Sequence, residues 1–464
     1  VHEPRKVVGQ EGGIKLLLGL MRDFPKSLEV QRDACGCLHA LSWNSDNKQM
    51  IVNGGGVSES AKGVRLIVQA MMEHPRDAEL QQQACSALAI ISYFVDDNKL
   101  EICENAGIQA IICAMEKHTK DRGIQEQGCL ALWSLASRSQ PVIVTQGDEK
   151  QRKEMTPEEA SKAEEIAREA EMREKLKDKI QARSKKSMAD SSGIQVLVTA
   201  VKEHCGGVVV VERACRALLQ LAFMSYDNSM EICRNEGLQA ICRAMKANIS
   251  NARVLEQACS ALKNIFSSLA DVPKGKKKEI PSSVSDCVEC ALRAMRKHIS
   301  NSEVQKQACS AIGSMAASDE KVIDAVGTDL RGIQTIVAVM ASHSDNAEVQ
   351  MRACRTLFVL CSSKSNIKHI RMLSKSQSRS QRPIDAVVGA MGLHARNAQV
   401  VIFALRMLVE VAESGGNTRA LVMQSPVTKY VMDPKKAGLD WKSAEIEAVA
   451  QYWQKLSKIV GPLK

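Results

Sequence analysis

Along most of the chain, apolar residues return every three or four positions, the spacing that turns one face of a helix toward a core. The string DDNKLEICENA is short and led by polar residues; a Gly follows it, and then the apolar IQAIICAMEKH. A polar turn with Asn, Asp or Ser comes next, followed by a longer amphipathic string of the form VQxQACxALxxLA. This order predicts three helices per unit, the first of them short. Gly107, Gly193, Gly237 and Gly332 fall where one helix ends and the next turns away, the usual setting for a helix-terminal Gly.

The unit recurs. LEICENAGIQAIICAM returns as MEICRNEGLQAICRAM, and HPRDAELQQQACSAL, HISNSEVQKQACSAI and HSDNAEVQMRACRTL are copies of another block. The Cys of that block marks seven copies, at Cys35, Cys85, Cys129, Cys215, Cys259, Cys309 and Cys354, and Leu405 takes its place in an eighth, VVIFALRML. Successive spacings are 50, 44, 86, 44, 50, 45 and 51 residues, the value 86 being one unit plus an insertion. Such a period is that of helical repeat arrays.

The blocks GGIK, AGIQAIICAM, EGLQAICRAM and RGIQTIVAVM, each followed by VQxxACxAL, resemble the armadillo-repeat family over roughly 12–413, inserts apart. The resemblance implies an all-α, right-handed α-solenoid of about eight armadillo-type repeats with a helical C-terminal cap. Repeats 1–3 would occupy 1–138, a charged helical insertion 139–190, repeats 4–8 191–416, and the cap 417–464. Composition agrees with an all-α chain: aromatics are 3%, few for a β-sandwich, and only 11 Pro interrupt 464 residues.

The insertion holds TPEEASKAEEIAREAEMREKLKDKIQARSKK, with Thr156 as a helix cap, Pro157 in the first turn and Glu158 and Glu159 at the positive end of the dipole. Its 12 acidic and 12 basic residues add no net charge, which favours a solvated helix emerging from the array. The sharper alternative is a thin stripe of Ile166, Ala170, Leu176 and Ile180 that docks on another protein. Two further breaks, 272–285 and 364–383, read as basic loops. In the tail, Trp441, Tyr452 and Trp453 are candidates to cover the last hydrophobic face, as a solenoid end requires.

Candidate chemistry is sparse. His74, His118, His204, His298 and His343 each precede the marker Cys by eleven residues, and His394 precedes Leu405 by the same interval. Phe24 and Asn248 stand in that slot elsewhere, so the position is no ligand; a helix-ending His near a terminal carbonyl is the better account. The marker Cys, flanked by Ala or Gly and apolar residues, reads as core. Cys287 and Cys290 form an isolated C-x-x-C without the second pair a zinc site needs. No P-loop, GxSxG, HExxH or dinucleotide fingerprint occurs, so neither an enzyme nor a cofactor is expected.

The resemblance implies that the third helices line a concave groove where partners lie in extended or helical form. Its exposed stripe is expected three residues before the marker and one and five after it. Partner-binding candidates there are Glu126, Ser134, Glu212, Arg216, Gln220, Glu256, Ser260, Asn264, Arg355 and Arg406. The repeated Trp and Asn of the nuclear-import adaptors are missing, Asn264 excepted. Mixed charge suits a protein segment better than nucleic acid, despite a net charge of +10. These features point to a non-catalytic interaction scaffold or a structural subunit of a larger complex. The alternatives are a transport-type adaptor for a peptide cargo, or RNA or acidic-membrane binding through the basic loops. No run of 18 apolar residues offers a transmembrane helix. Sixteen Cys in apolar settings suggest a reducing, cytoplasmic compartment, with nuclear or cytoskeletal association as further settings. The opening VHEPRKVVGQ, lacking Met and an apolar leader, suggests a start inside a longer protein or at a processing boundary.

Overall fold

The computed structural model describes residues 2–56, 62–138, 157–272, 281–327, 330–375, 382–414 and 443–460. Among these residues all regular structure is helical. By contact density the chain divides into two units, Val1–Leu221 and Ala222–Lys464.

The first unit opens with α1 (His2–Gln10), α2 (Gly13–Asp23) and α3 (Leu28–Leu41). It repeats the triplet as α4 (Ser45–Val52), α5 (Gly63–Glu73) and α6 (Ala78–Ser92), and again as α7 (Asp96–Glu104), α8 (Gly107–Lys117) and α9 (Arg122–Ala136). The long α10 (Pro157–Asp190) precedes α11 (Gly193–Glu203) and α12 (Val208–Ala222). The second unit contains α13 (Tyr226–Arg234), α14 (Gly237–Ala247), α15 (Ala252–Ala270), α16 (Val284–Lys297) and α17 (Ser302–Ser318). It continues with α18 (Glu320–Gly327), α19 (Gly332–Ser342), α20 (Ala347–Leu360), α21 (Lys364–Leu373), α22 (Pro383–Leu393), α23 (Ala398–Glu413) and α24 (Ser443–Val460).

The junction between first and second helices differs from the sequence expectation. The Gly is the first residue of the second helix, and the residue before it adopts the left-handed conformation: Ala106, Ser192, Glu236 and Arg331 all have positive φ. Gly is required for space rather than for its own dihedral. A Cβ on Gly107 would lie 2.5 Å from Ile102 Cγ2, and one on Gly332 would lie 2.5 Å from the Val326 carbonyl oxygen.

In six of the eight repeats the polar turn before the third helix supplies its cap. Asp77, Asp121, Asn251, Asn301, Asn346 and Asn397 accept from the N–H three residues on. Each such cap contributes about 1 kcal/mol. A buried Gln of the third helix closes the other side of the turn. Gln81 Nε2 donates to the carbonyls of Met71 (2.8 Å) and His74 (3.1 Å), and Gln31, Gln125, Gln305 and Gln350 do the same in their repeats. The terminal carbonyls of the second helix are thereby satisfied away from water.

The histidines end their second helices as expected, but the carbonyl each side chain meets belongs to the preceding repeat. His118 Nε2 donates to the Pro75 carbonyl at 3.0 Å, His74 to Pro25 at 3.1 Å and His204 to Thr119 at 2.8 Å. In the second unit His298 reaches Ile249, His343 reaches Ile299 and His394 reaches Ser344. The imidazole is a strap between neighbouring repeats.

Two boundaries move. The last two turns of α10 do the work of a first helix: Ile180, Ser184 and Met188 are buried, and Met188 faces Gly193 as Ile102 faces Gly107. Gln181 Nε2 donates to the Ala136 carbonyl (3.0 Å), and Arg138 pairs with Glu174 (2.7 Å) and Asp178 (3.1 Å). The insertion is therefore joined to its own array at this end, and Ile180 is not available for another protein. Leu176 is exposed; Thr156 and the side chains of Ile166 and Ala170 lie outside the described residues. Likewise, the region 364–383, expected as a loop, begins with α21: Ser363 caps it, and Ile367 and Ile370 give it an inward face. Residues 273–280, with all the charge of the first basic segment, and 376–381, with Arg379 of the second, lie outside the described residues.

At the C-terminal end α24 lies on α23 with Val449 and Leu456 buried, and Lys455 pairs with Glu413 at 2.9 Å. Trp441 lies outside the described residues.

Candidate binding face

The third helices bury their marker residues completely: the seven marker Cys have no exposure. Burial pushes the Cys35, Cys85, Cys215, Cys309 and Cys354 thiols up to about 12, far from a nucleophile's range. Cys287 and Cys290 are buried in α16, and Cys287 Sγ lies 3.4 Å from Cys242 Sγ. The accessible residues of the third helices fall among positions one, four, five and eight after the marker, and which of these are open differs between repeats.

In the first unit, Glu126 is half-exposed and paired with Arg122 at 2.8 Å, and its carbonyl accepts from Arg213 at 2.9 Å. Glu212 and Arg216 pair with each other at 3.2 Å, and Gln220 is half-buried. Ser134 is only 2% exposed and bonds Ser92 Oγ at 2.9 Å, so it lies in the seam between α6 and α9 and not on an open face. The fifth position is covered there by Ser92 of the preceding third helix. What the sequence stripe missed is aromatic. Trp43, Tyr93 and Phe94 are exposed just after the ends of α3 and α6. Tyr93 lies 5.9 Å from Trp133, whose ring is covered by the Arg216 guanidinium at 5.3 Å. Phe94 has a φ of 60°, a conformation that costs a non-Gly residue about 1–2 kcal/mol, and holds its ring outward.

In the second unit three consecutive third helices, α15, α17 and α20, line a cleft of about 690 Å³. Its floor is small: Ser310, Gly313, Ser314 and Ala317. Phe223, Met224 and Tyr226 stand on one side; Lys263, Arg352 and Arg355 bring charge, and Asn264 and Asp271 also line it. Burial, with help from Arg352 and Arg355, holds the Lys263 ammonium below its ordinary value, and Glu348 offsets part of this. Of the residues expected on this face, Arg355 is exposed and lines the cleft, and Asn264 reaches it from a mostly buried position. Ser260 is buried, and Glu256 is half-buried, accepting from Gln257 at 2.9 Å. Arg406 lies against the cap: its guanidinium stacks on Tyr452 (4.9 Å), Phe358 (5.6 Å) and Phe403 (5.8 Å). The residue remains half-exposed, with one face of the guanidinium occupied by the capping helix. Lys263 and Arg352 were missed because they sit four after and two before their markers, off the assumed stripe; the polar Lys in an otherwise apolar ACSALKNIF was the available signal.

Among the described residues no helix is long and apolar enough to cross a membrane.

Comparisons with known proteins follow this geometry. A family model described as "LRRK2 ARM repeat" matches residues 230–442, and one described as "Armadillo/beta-catenin-like repeat" matches residues 2–43. Among solved structures, an engineered protein is similar with a TM-score of 0.57 at 20% identity, covering 96% of this chain and 98% of that one. A β-catenin structure, described with a phosphorylation switch that controls its interaction with cadherin, has a TM-score of 0.47 at 15% identity, covering 96% of this chain and 80% of that one. UNC-45 from Drosophila melanogaster has a TM-score of 0.40 at 13% identity, covering 97% and 63%. No curated protein matches the chain. The triplets of helices, the Gly junctions, the capped third helices and the two matching repeat families lead to one assignment: this chain is an armadillo-repeat protein.

Proposed function

We propose that the chain is a non-catalytic interaction scaffold that takes up an extended or helical segment of a partner protein along the face of its third helices. The carrying observation is the cleft of the second unit, assembled from corresponding positions of α15, α17 and α20. Small side chains at its floor let a bound segment approach the helix backbones, while Phe223 and Met224 offer apolar contact beside it. The residues with reactive chemistry are engaged in architecture, the marker Cys in the core and the repeated His on backbone carbonyls. Charges on the face alternate in sign, Glu212 with Arg216 and Glu348 with Arg352, which suits a protein segment over a polyphosphate chain.

Affinity capture followed by cross-linking mass spectrometry tests this reading. Cross-links from Lys263 and from peptides of α17 and α20 support it. Cross-links confined to α13, α14, α16 and α19 overturn it and move the partner to the opposite helices.

A further inference from the structure

We propose that the cleft between α15, α17 and α20 selects an acidic protein segment, with carboxylate side chains meeting Lys263 and Arg355 and an apolar side chain against Phe223 and Met224. This rests on the scaffold reading above and gives it a partner chemistry. The argument is charge complementarity. Arg352 is already neutralised, by Glu348 at 2.6 Å, and donates to Ser310 Oγ at 2.7 Å. Lys306 is held by Glu303 (2.6 Å) and by the same Glu348 (3.0 Å). Lys263 and Arg355, by contrast, have no carboxylate within ion-pair distance among the described residues; Arg355 has only the Phe403 ring, at 5.9 Å. Among the described residues Asp271 is the one acid lining the cleft, where Lys263, Arg352 and Arg355 outnumber it.

The Lys263 ammonium is half-buried and depressed by its own burial and by two guanidiniums, a strain that a bound carboxylate relieves. Beside it, Met224 holds a φ of 53° and is 85% exposed. A large apolar side chain held in a left-handed conformation and turned to solvent marks the apolar half of the site. Two unpaired cations beside apolar side chains fit short acidic-apolar sequence. A nucleic acid would require a continuous basic track.

The test uses the full chain and a displayed library of random dodecapeptides at low salt. Enriched peptides should carry more Asp and Glu than Lys and Arg, include an apolar residue, and weaken as salt rises. Lys263→Glu or Arg355→Glu should lower their affinity about tenfold or more. Lys263→Met and Arg355→Gln, which leave the helices uncharged at those sites, should give smaller losses in the same direction with an unchanged circular dichroism spectrum. Arg293→Glu, on exposed α16 surface, should leave affinity unchanged. Enrichment of neutral or basic peptides that protect α15, α17 and α20 from hydrogen exchange overturns the acidic assignment and leaves the scaffold reading standing. If acidic peptides bind the charge-reversed chains as well as the parent, the cleft is not their site and the proposal is lost. A library that yields no peptide protecting those helices removes both readings.

Discussion

A Cβ on Gly107 would sit 2.9 Å from the Ile102 carbonyl oxygen, while Ala106 beside it holds a φ of 58°. The two positions therefore respond oppositely to substitution. Gly107→Ala should destabilise by about 2 kcal/mol or more, because a backbone atom has to move. Ala106→Gly should stabilise by roughly 0.5–1 kcal/mol, the left-handed penalty less the added chain entropy. Urea midpoints of the two variants check the pair. Lys99 offers a pH test at the same scale. Its Nζ donates to the Ser137 carbonyl at 2.7 Å and pairs with Asp96 at 3.1 Å in a buried setting. Burial lowers its affinity for the proton from the ordinary 10.5, with Asp96 opposing. The unfolded chain therefore binds more protons between the folded value and 10.5, so this residue's contribution to stability should rise with pH across that window. Lys99→Met should flatten that rise in the alkaline range below the ordinary Lys value, as read from urea midpoints. Thiol chemistry should follow burial: iodoacetamide on the native chain should label exposed Cys37 and spare the seven marker Cys, with peptide mass spectrometry as the readout.

Each element is held at its ends by its own short signals. In the complete repeats the Asp or Asn cap, the double-bonded Gln and the His strap converge on one turn, as Asp121, Gln125 and His118 do. Gln125→Met should cost about 1–3 kcal/mol, since it removes the side-chain donor of the buried Met115 carbonyl and leaves His118 with only the Asp121 N–H. Val211, Leu255 and Val401 replace that Gln in three repeats, and the helices still form there. Packing of the apolar face, not the clamp, therefore makes the helix; the clamp fixes where it turns. This is why the turn was legible from polar residues alone, whereas the His partner was not: the acceptor belongs to the preceding repeat and has no sequence signature.

Across each unit, the array is built from contacts between equivalent helices of neighbouring repeats, with α15 on α17 and α21's neighbours α20 and α23 on each other in the second unit, and α3, α6 and α9 in the first. The long spacing between Cys129 and Cys215 does not interrupt this order, because the end of α10 supplies the missing first helix. Met188→Ala, at a fully buried position facing Gly193, should cost about 2–5 kcal/mol, the range for truncating a core Met. A solvated helix attached only through its ends would lose almost nothing. Denaturant unfolding of that variant separates the two.

The sequence by itself determined what is local and periodic: the three-helix unit, its count of markers, the Cys in the core and the capped turns. Those follow from an amphipathic period and from polar residues that satisfy their own backbone. Only the tertiary structure decided which members of the stripe stay open. Ser134 closed against Ser92, Arg406 came to stack on Tyr452, and Lys263, Ser267 and Arg355 came to share one cleft. Helical periodicity places a residue on a face to within a turn, but the angle at which neighbouring third helices cross decides whether that face meets a helix or solvent.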